Sequence, residues 1–301
     1  MKRAVAFVIV LLIGIAALYF TQRRHENSPV SANAVVAIAA DAQRELTRMP
    51  MRLARLSDDE EIRIGNELAA QYSIPNTSLS PEESALESYV QKVGGGLALH
   101  AHRRLPYSFH VVPNRSMINA FSLPGGHVYV GEGLLDLMSS EDQLAFLIGH
   151  EVEHVDHYHC AERVQIEARL RHLNLGIVGE LVQIPLEVWE AGYNKDEELE
   201  ADREGMRLAV ESGYSPYGAV GLFEEFGKLY KEHVIHAKTP EQELSQLAVQ
   251  SLEGYFRSHP LTSERLAQAN SVIAQEGWRD RKAQKPFRIE YEVHNGRYVK
   301  P

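Results

Sequence analysis

Cysteine is almost absent from this 301-residue chain; the only one is Cys160. No intramolecular disulfide can form, and no cluster of thiolates can hold a metal. Basic residues are the minority, 31 Lys and Arg against 41 Asp and Glu, for a formal net charge of −10. An acidic chain has no general attraction for phosphate backbones, which argues against a nucleic-acid partner. Internal repeats and low-complexity tracts are missing, and 44% hydrophobic with 24% charged residues are ordinary globular values. That composition excludes a disordered, collagen-like or coiled-coil chain.

Long apolar runs are also lacking, with one exception. Residues 4–20, AVAFVIVLLIGIAALYF, are uncharged and follow Met1-Lys2-Arg3. A positive start followed by such a run reads as a signal peptide or a membrane anchor. A cleavable segment is usually shorter and has its small-x-small site closer than Ala32-Asn33-Ala34, so the reading here is an uncleaved anchor. Lys2 and Arg3 balance Arg23 and Arg24, so the flanking charges set no orientation. The expected organisation is an anchor or signal peptide over 1–24, a polar stalk over 25–57 and one folded domain over 58–301. The expected location is the cell membrane, single-pass through residues 4–20, with the domain in the periplasm. The alternative is release to the periplasm after signal cleavage.

Within the domain, Ser57-Asp58-Asp59-Glu60 opens a helix over 58–72, and Ser80-Pro81-Glu82-Glu83 opens another over 81–101, weakened by Gly94-Gly95-Gly96. YSFHVV, INAFS and HVYV between 107 and 130 change to a strand period, parted by Pro113-Asn114 and Pro124-Gly125-Gly126. A helical pattern resumes at Ser139 and runs to about 172. Further helices are expected at 196–212, 216–234 and 262–276. The apolar stretch 173–189 reads as a core or lid segment, and the C-terminal end as a hairpin turning at Asn295-Gly296. The fold class is α+β, helix-rich with one small sheet.

His150-Glu151-Val152-Glu153-His154 lies inside the long helical tract. Residues four apart on a helix are offset by roughly 40° and 6 Å, so the two imidazoles share a face. They can hold zinc while Glu151 lies one residue from the first ligand, against the metal's water. With 14 histidines in the chain, the motif alone is weak evidence, and a catalytic zinc needs a third ligand. The metzincin continuation would place Gly and His where this chain has His157 and Cys160, which excludes that class. Downstream, Glu198 and Asp202 share a helix face. Glu198 can complete a His/His/Glu site, and Asp202 can accept the remaining N–H of a ligating imidazole. The plain alternative for this acidic run is a solvated helix face.

The segments NAFSLPGGHVYVGEGLL (119–135), SSEDQLAFLIGHEVEHVDHYH (139–159), EELEADREG (197–205) and SHPLTSERL (258–266) occur in the order and style of one family. The chain resembles the gluzincin metallopeptidases that include the HtpX heat-shock, CAAX prenyl and Oma-type proteases. The resemblance implies a zincin-like metallopeptidase domain with one Zn2+ per chain on His150, His154 and Glu198. It implies Glu151 as the catalytic residue, Asp202 behind the ligands, and His259 with Arg265 near the active site. It further implies protein or peptide substrates. Where the family often has glycine, this chain has Glu153, expected to point away from the metal. His159 matches a recurrent histidine and is expected to be a hydrogen-bonded structural residue. The single apolar segment matches the soluble or singly anchored members.

Other readings stay open from the sequence. His157 and Cys160 could form a different site with His154, but Glu151 and Glu198 would then have no role. His127, Tyr214 or Tyr217 could stabilise an oxyanion. Asn119, Ala120 and Phe121 are expected in an edge strand that pairs with the backbone of an extended substrate. The rival function is a zinc-stabilised, chaperone-like or binding module of the cell envelope without turnover; a chance arrangement on a helical scaffold is the second rival.

Overall fold

The computed structural model describes residues 56–72, 79–170, 193–232, 259 and 263–287. The expected anchor, the stalk up to residue 55, the segment 173–189 and the C-terminal hairpin lie outside these. Among the described residues no helix is long and apolar enough to cross a membrane.

The described part of the domain is helix-rich with one mixed three-stranded sheet. Helix α1 spans Asp58–Tyr72 and α2 Pro81–Ala98. Ser80 and Glu83 cap α2 reciprocally, each side chain taking the other's amide and satisfying donors that a bare helix end would leave open. The glycines at 94–96 do not break α2; it ends at Ala98, three residues short of expectation. Strands β1 (Ser108–Val112), β2 (Ala120–Leu123) and β3 (His127–Gly131) follow. Their order is β1-β3-β2, with β1 parallel and β2 antiparallel to β3. A short helix α3, Glu132–Asp136, leads into α4, Glu141–Asp156.

The tract with a helical pattern to about 172 holds two helices among its described residues. Helix α4 stops at Asp156, Tyr158 takes φ 64°, and α5 runs over His159–Leu170. A positive φ costs an L residue on the order of 1 kcal/mol; here the guanidinium of Arg103 lies 3.8 Å over the Tyr158 ring and holds it. Helices α6 (Lys195–Glu211), α7 (Tyr217–Glu232) and α8 (Ser263–Gln275) complete the described part.

Helix α4 is buried from Asp142 to Asp156. Leu144, Phe146, Leu147, Ile148 and Val152 join Phe109, Met206, Phe223 and Phe226 in the main core. Its buried acids therefore need partners. Asp142 accepts the amides of Ser215 and Lys285, and Asp156 those of His102 and Arg103. Helix α6 crosses α4 at two glycines. A Cβ on Gly205 would stand 2.7 Å from the amide nitrogen of His150, and one on Gly149 2.8 Å from the carbonyl oxygen of Gly205. This contact brings the acids of α6 to the histidines of α4. Gly205→Ala is expected to push the helices apart, cost about 1–3 kcal/mol and weaken metal binding. Gly95→Ala, which meets nothing within 4 Å, should be neutral or stabilise by up to about 1 kcal/mol. Denaturant titration of both variants checks the contrast.

Candidate metal centre

His150 and His154 sit one turn apart on α4, with Nε2 atoms 3.0 Å from each other. Glu198 enters from the first turn of α6, whose Asn194–Glu197 capping box fixes the helix start. One carboxylate oxygen is 3.5 Å from His154 Nε2 and the other 3.7 Å from His150 Nε2. His259 closes the group, its Nδ1 3.1 Å from His150 Nε2 and 3.1 Å from Glu198 Oε1. Donor atoms of these four buried residues all lie within 4.8 Å of one another.

The donor set fits a zinc ion. A tetrahedron with bonds near 2.1 Å has edges of roughly 3.4 Å; the five separations above, 3.0–3.7 Å, lie around that edge, and no pair exceeds 4.8 Å. Burial holds the His154 imidazole well below its ordinary pKa, against the pull of Glu198. That favours the neutral form a metal requires. Burial alone would raise Glu198; the charges of His259 and Arg265 more than offset it and leave the carboxyl well below its usual range.

Around the four donors, further groups orient them. Asp202 Oδ1 is 3.0 Å from His150 Nδ1. Arg265, itself buried, donates to both Asp202 oxygens at 2.6 Å and lies 3.1 Å from Glu198. Glu151 is fully buried beside the donors. Ser122 of β2 donates to its Oε2 at 3.0 Å, while Oε1 makes no hydrogen bond among the described residues and lies 3.3 Å from His259 Nε2. The Tyr193 ring stacks on His154, centroids 3.6 Å apart and 13° from parallel, with Arg163 3.8 Å from the same ring.

Sequence reasoning did not single out Ser122, Tyr193 or Arg163. Ser122 adjoins the expected strand residues Asn119–Phe121, a signal that was present; Tyr193 lies in no motif. His157 and Cys160 do not join His154 in a ligand group among the described residues. Cys160 is buried against Ser122 and Tyr193, and burial pushes its thiol up to about 11. His157 pairs with Glu153 at 3.0 Å, and that bond raises the imidazole to about 9. Glu153 is therefore buried and ion-paired, a cost the sequence did not reveal. His127, Tyr214 and Tyr217 are engaged away from the donors: His127 with Asn66 and Ser108, Tyr217 with the Arg279 carbonyl, Tyr214 beneath Lys285.

The strand expected to be an open edge is covered. Gly131 donates to the Asn119 carbonyl, so by antiparallel alternation the backbone groups of Ala120 and Ser122 face away from β3. The Ala120 amide is taken by Asn119's own Oδ1 at 3.0 Å, and the Ser122 carbonyl faces the Cys160 thiol at 3.6 Å. All four residues of β2 are buried.

Comparison with known proteins comes to the same region. A sequence profile described as Peptidase family M48 matches residues 82–273, more than half of the chain. The beta-barrel assembly-enhancing protease of Yersinia pestis is 26% identical over 237 residues, covering 72% of this chain and 45% of its own length. The mitochondrial metalloendopeptidase OMA1 of Arabidopsis thaliana is 30% identical over 168 residues, covering 53% of this chain and 31% of its own. The metalloprotease LoiP of Escherichia coli is 25% identical over 182 residues, covering 57% of this chain and 71% of its own. The chain thus spans less than half the length of the assembly-enhancing protease and OMA1.

Proposed function

The chain belongs to peptidase family M48, and on that premise we propose that it is a zinc-dependent endopeptidase acting on envelope or unfolded proteins. The observation that carries this reading is a group of four buried donors within 4.8 Å of one another, next to a carboxylate with one oxygen left without a hydrogen bond among the described residues. His150, His154 and Glu198 would hold the metal. When bound, zinc supplies a Lewis acid for the scissile carbonyl and lowers the pKa of water at the site. Ser122 holds Glu151 by Oε2, so Oε1 is the atom that takes the proton of the attacking water and passes it to the leaving amine. Asp202 and Arg265 keep His150 and Glu198 in place.

The envelope assignment rests on the apolar segment at 4–20. An extended substrate would add to β2 along Asn119, Ala120 and Phe121, of which Ala120 has its backbone groups turned away from β3. Because that edge is buried, addition requires a rearrangement that exposes it. Recognition through backbone groups reads little sequence, which suits unfolded chains.

His259 would occupy the fourth position, which a catalytic zinc keeps open for water or substrate. Its position serves two roles: a donor to the oxyanion, or a fourth ligand displaced when substrate binds. His259→Ala separates them. A large fall in kcat supports the donor, a gain in activity supports displacement, and an unchanged rate removes His259 from the mechanism.

The closed, buried site also favours the second reading, a zinc-stabilised binding module without turnover. A structural site has no use for Glu151, which is why the peptidase reading is preferred. Metal analysis of the purified chain tests the ligand set. One zinc per chain is expected in wild type and none in His154→Ala or Glu198→Ala; full zinc in both variants would overturn it.

A further inference from the structure

On an uninterrupted helix His159, five residues beyond His154, would lie roughly 140° round the axis from it. The break at Tyr158, with its positive φ, reverses this and returns His159 to the metal-side histidine. The two Nδ1 atoms are 2.9 Å apart. A strained residue kept in place by a stacked arginine, at the one step that produces this contact, points to a use for the contact.

The protons along it can be assigned. His154 Nε2 faces the other donors, so a ligand role places its lone pair there and its proton on Nδ1. That proton is donated to His159 Nδ1, which must be a bare acceptor. The proton of His159 then resides on Nε2, which lies 3.5 Å from Glu200 Oε2. Glu200 also faces His157 Nε2 and Arg203, each at 3.9 Å. His150 is served directly by the Asp202 carboxylate, whereas His154 reaches its carboxylate through an interposed imidazole.

We propose that Glu200 is a positioning residue, which through His159 fixes the His154 imidazole in the tautomer and orientation that bind the metal. This rests on His154 being a ligand, the reading given above. Partners of this kind behind a metal-bound histidine typically carry 10–100-fold in metal affinity.

The test is zinc affinity and zinc release, measured on the full chain by chelator competition, for wild type, Glu200→Ala, Glu200→Gln and His154→Ala. Glu200 is 40% exposed, so its variants should fold, which circular dichroism of the metal-free proteins checks. Glu200→Ala is expected to bind zinc about 10–100-fold more weakly. Glu200→Gln should recover most of the loss, because its amide oxygen accepts the same proton. Nitrogen-15 spectra of the zinc-loaded wild type should show His159 protonated at Nε2 and bare at Nδ1. Zinc affinity in Glu200→Ala within twofold of wild type, or Glu200→Gln as weak as Glu200→Ala, would overturn the proposal while leaving the ligand assignment intact. Undiminished zinc affinity in His154→Ala would instead remove the ligand assignment and this proposal with it.

Discussion

Glu151→Gln is expected to keep its zinc and lose about 10²–10⁴-fold in kcat, the range that a positioned general base contributes. The substitution is nearly isosteric. Its amide oxygen can still accept from Ser122, which holds the present carboxylate at 3.0 Å, so the surrounding packing should survive. What disappears is the basic oxygen beside the donors, which has no hydrogen bond among the described residues. KM should move little, because the carboxylate acts on the attacking water rather than on the bound chain. Steady-state kinetics with an unfolded protein substrate, alongside zinc analysis, measures both. Undiminished kcat in a zinc-loaded variant would remove Glu151 from the mechanism.

Arg265→Met is expected to cost about 3–5 kcal/mol of stability in the metal-free protein, as breaking a buried pair leaves an uncompensated charge. Arg265 is 2% exposed and serves two carboxylates, Asp202 and Glu198, with a further contact to the His259 carbonyl. Removing it strands two buried negative charges at the α6–α8 contact. Arg265→Lys should recover only part of the loss, since one ammonium cannot reproduce the two-pronged donation to Asp202. The Asp202→Asn, Arg265→Met double variant should lose less than the sum of the single losses. Urea titrations of the set measure these differences. A loss below about 1 kcal/mol in Arg265→Met would mean that the pair behaves like a solvated surface bridge.

Much of this site is legible in the sequence because it depends on local periodicity. The spacing of His150 to His154, and of Glu198 to Asp202, needs only a helix to place each pair on one face. Cap residues Ser80 and Ser140 give helix starts for the same reason: their partners lie three residues on. The parts that were missed are held by tertiary contacts. Tyr158 breaks the helix in a backbone region that L residues avoid, and the group that stabilises it, Arg103, comes from a distant segment. Glu153 reads as one more polar residue on a helix, yet α4 is buried all round, so it requires His157 as its partner. Tyr193 stacks on His154 from a loop with no pattern of its own. The β2 edge reads as open from alternation alone, and what closes it is a neighbouring side chain and the Cys160 thiol, neither of which follows from strand period.

The central claim is that one metal, held by α4 and α6, makes this chain a peptidase. Its most direct test is peptide hydrolysis during zinc titration of the chelator-stripped full chain, in wild type and in His259→Ala. The account predicts that hydrolysis in at least one of the two rises in proportion to added zinc, levels off at about one equivalent per chain, and is abolished again by chelation. Full zinc occupancy with no hydrolysis in either protein, or hydrolysis independent of zinc, would contradict it.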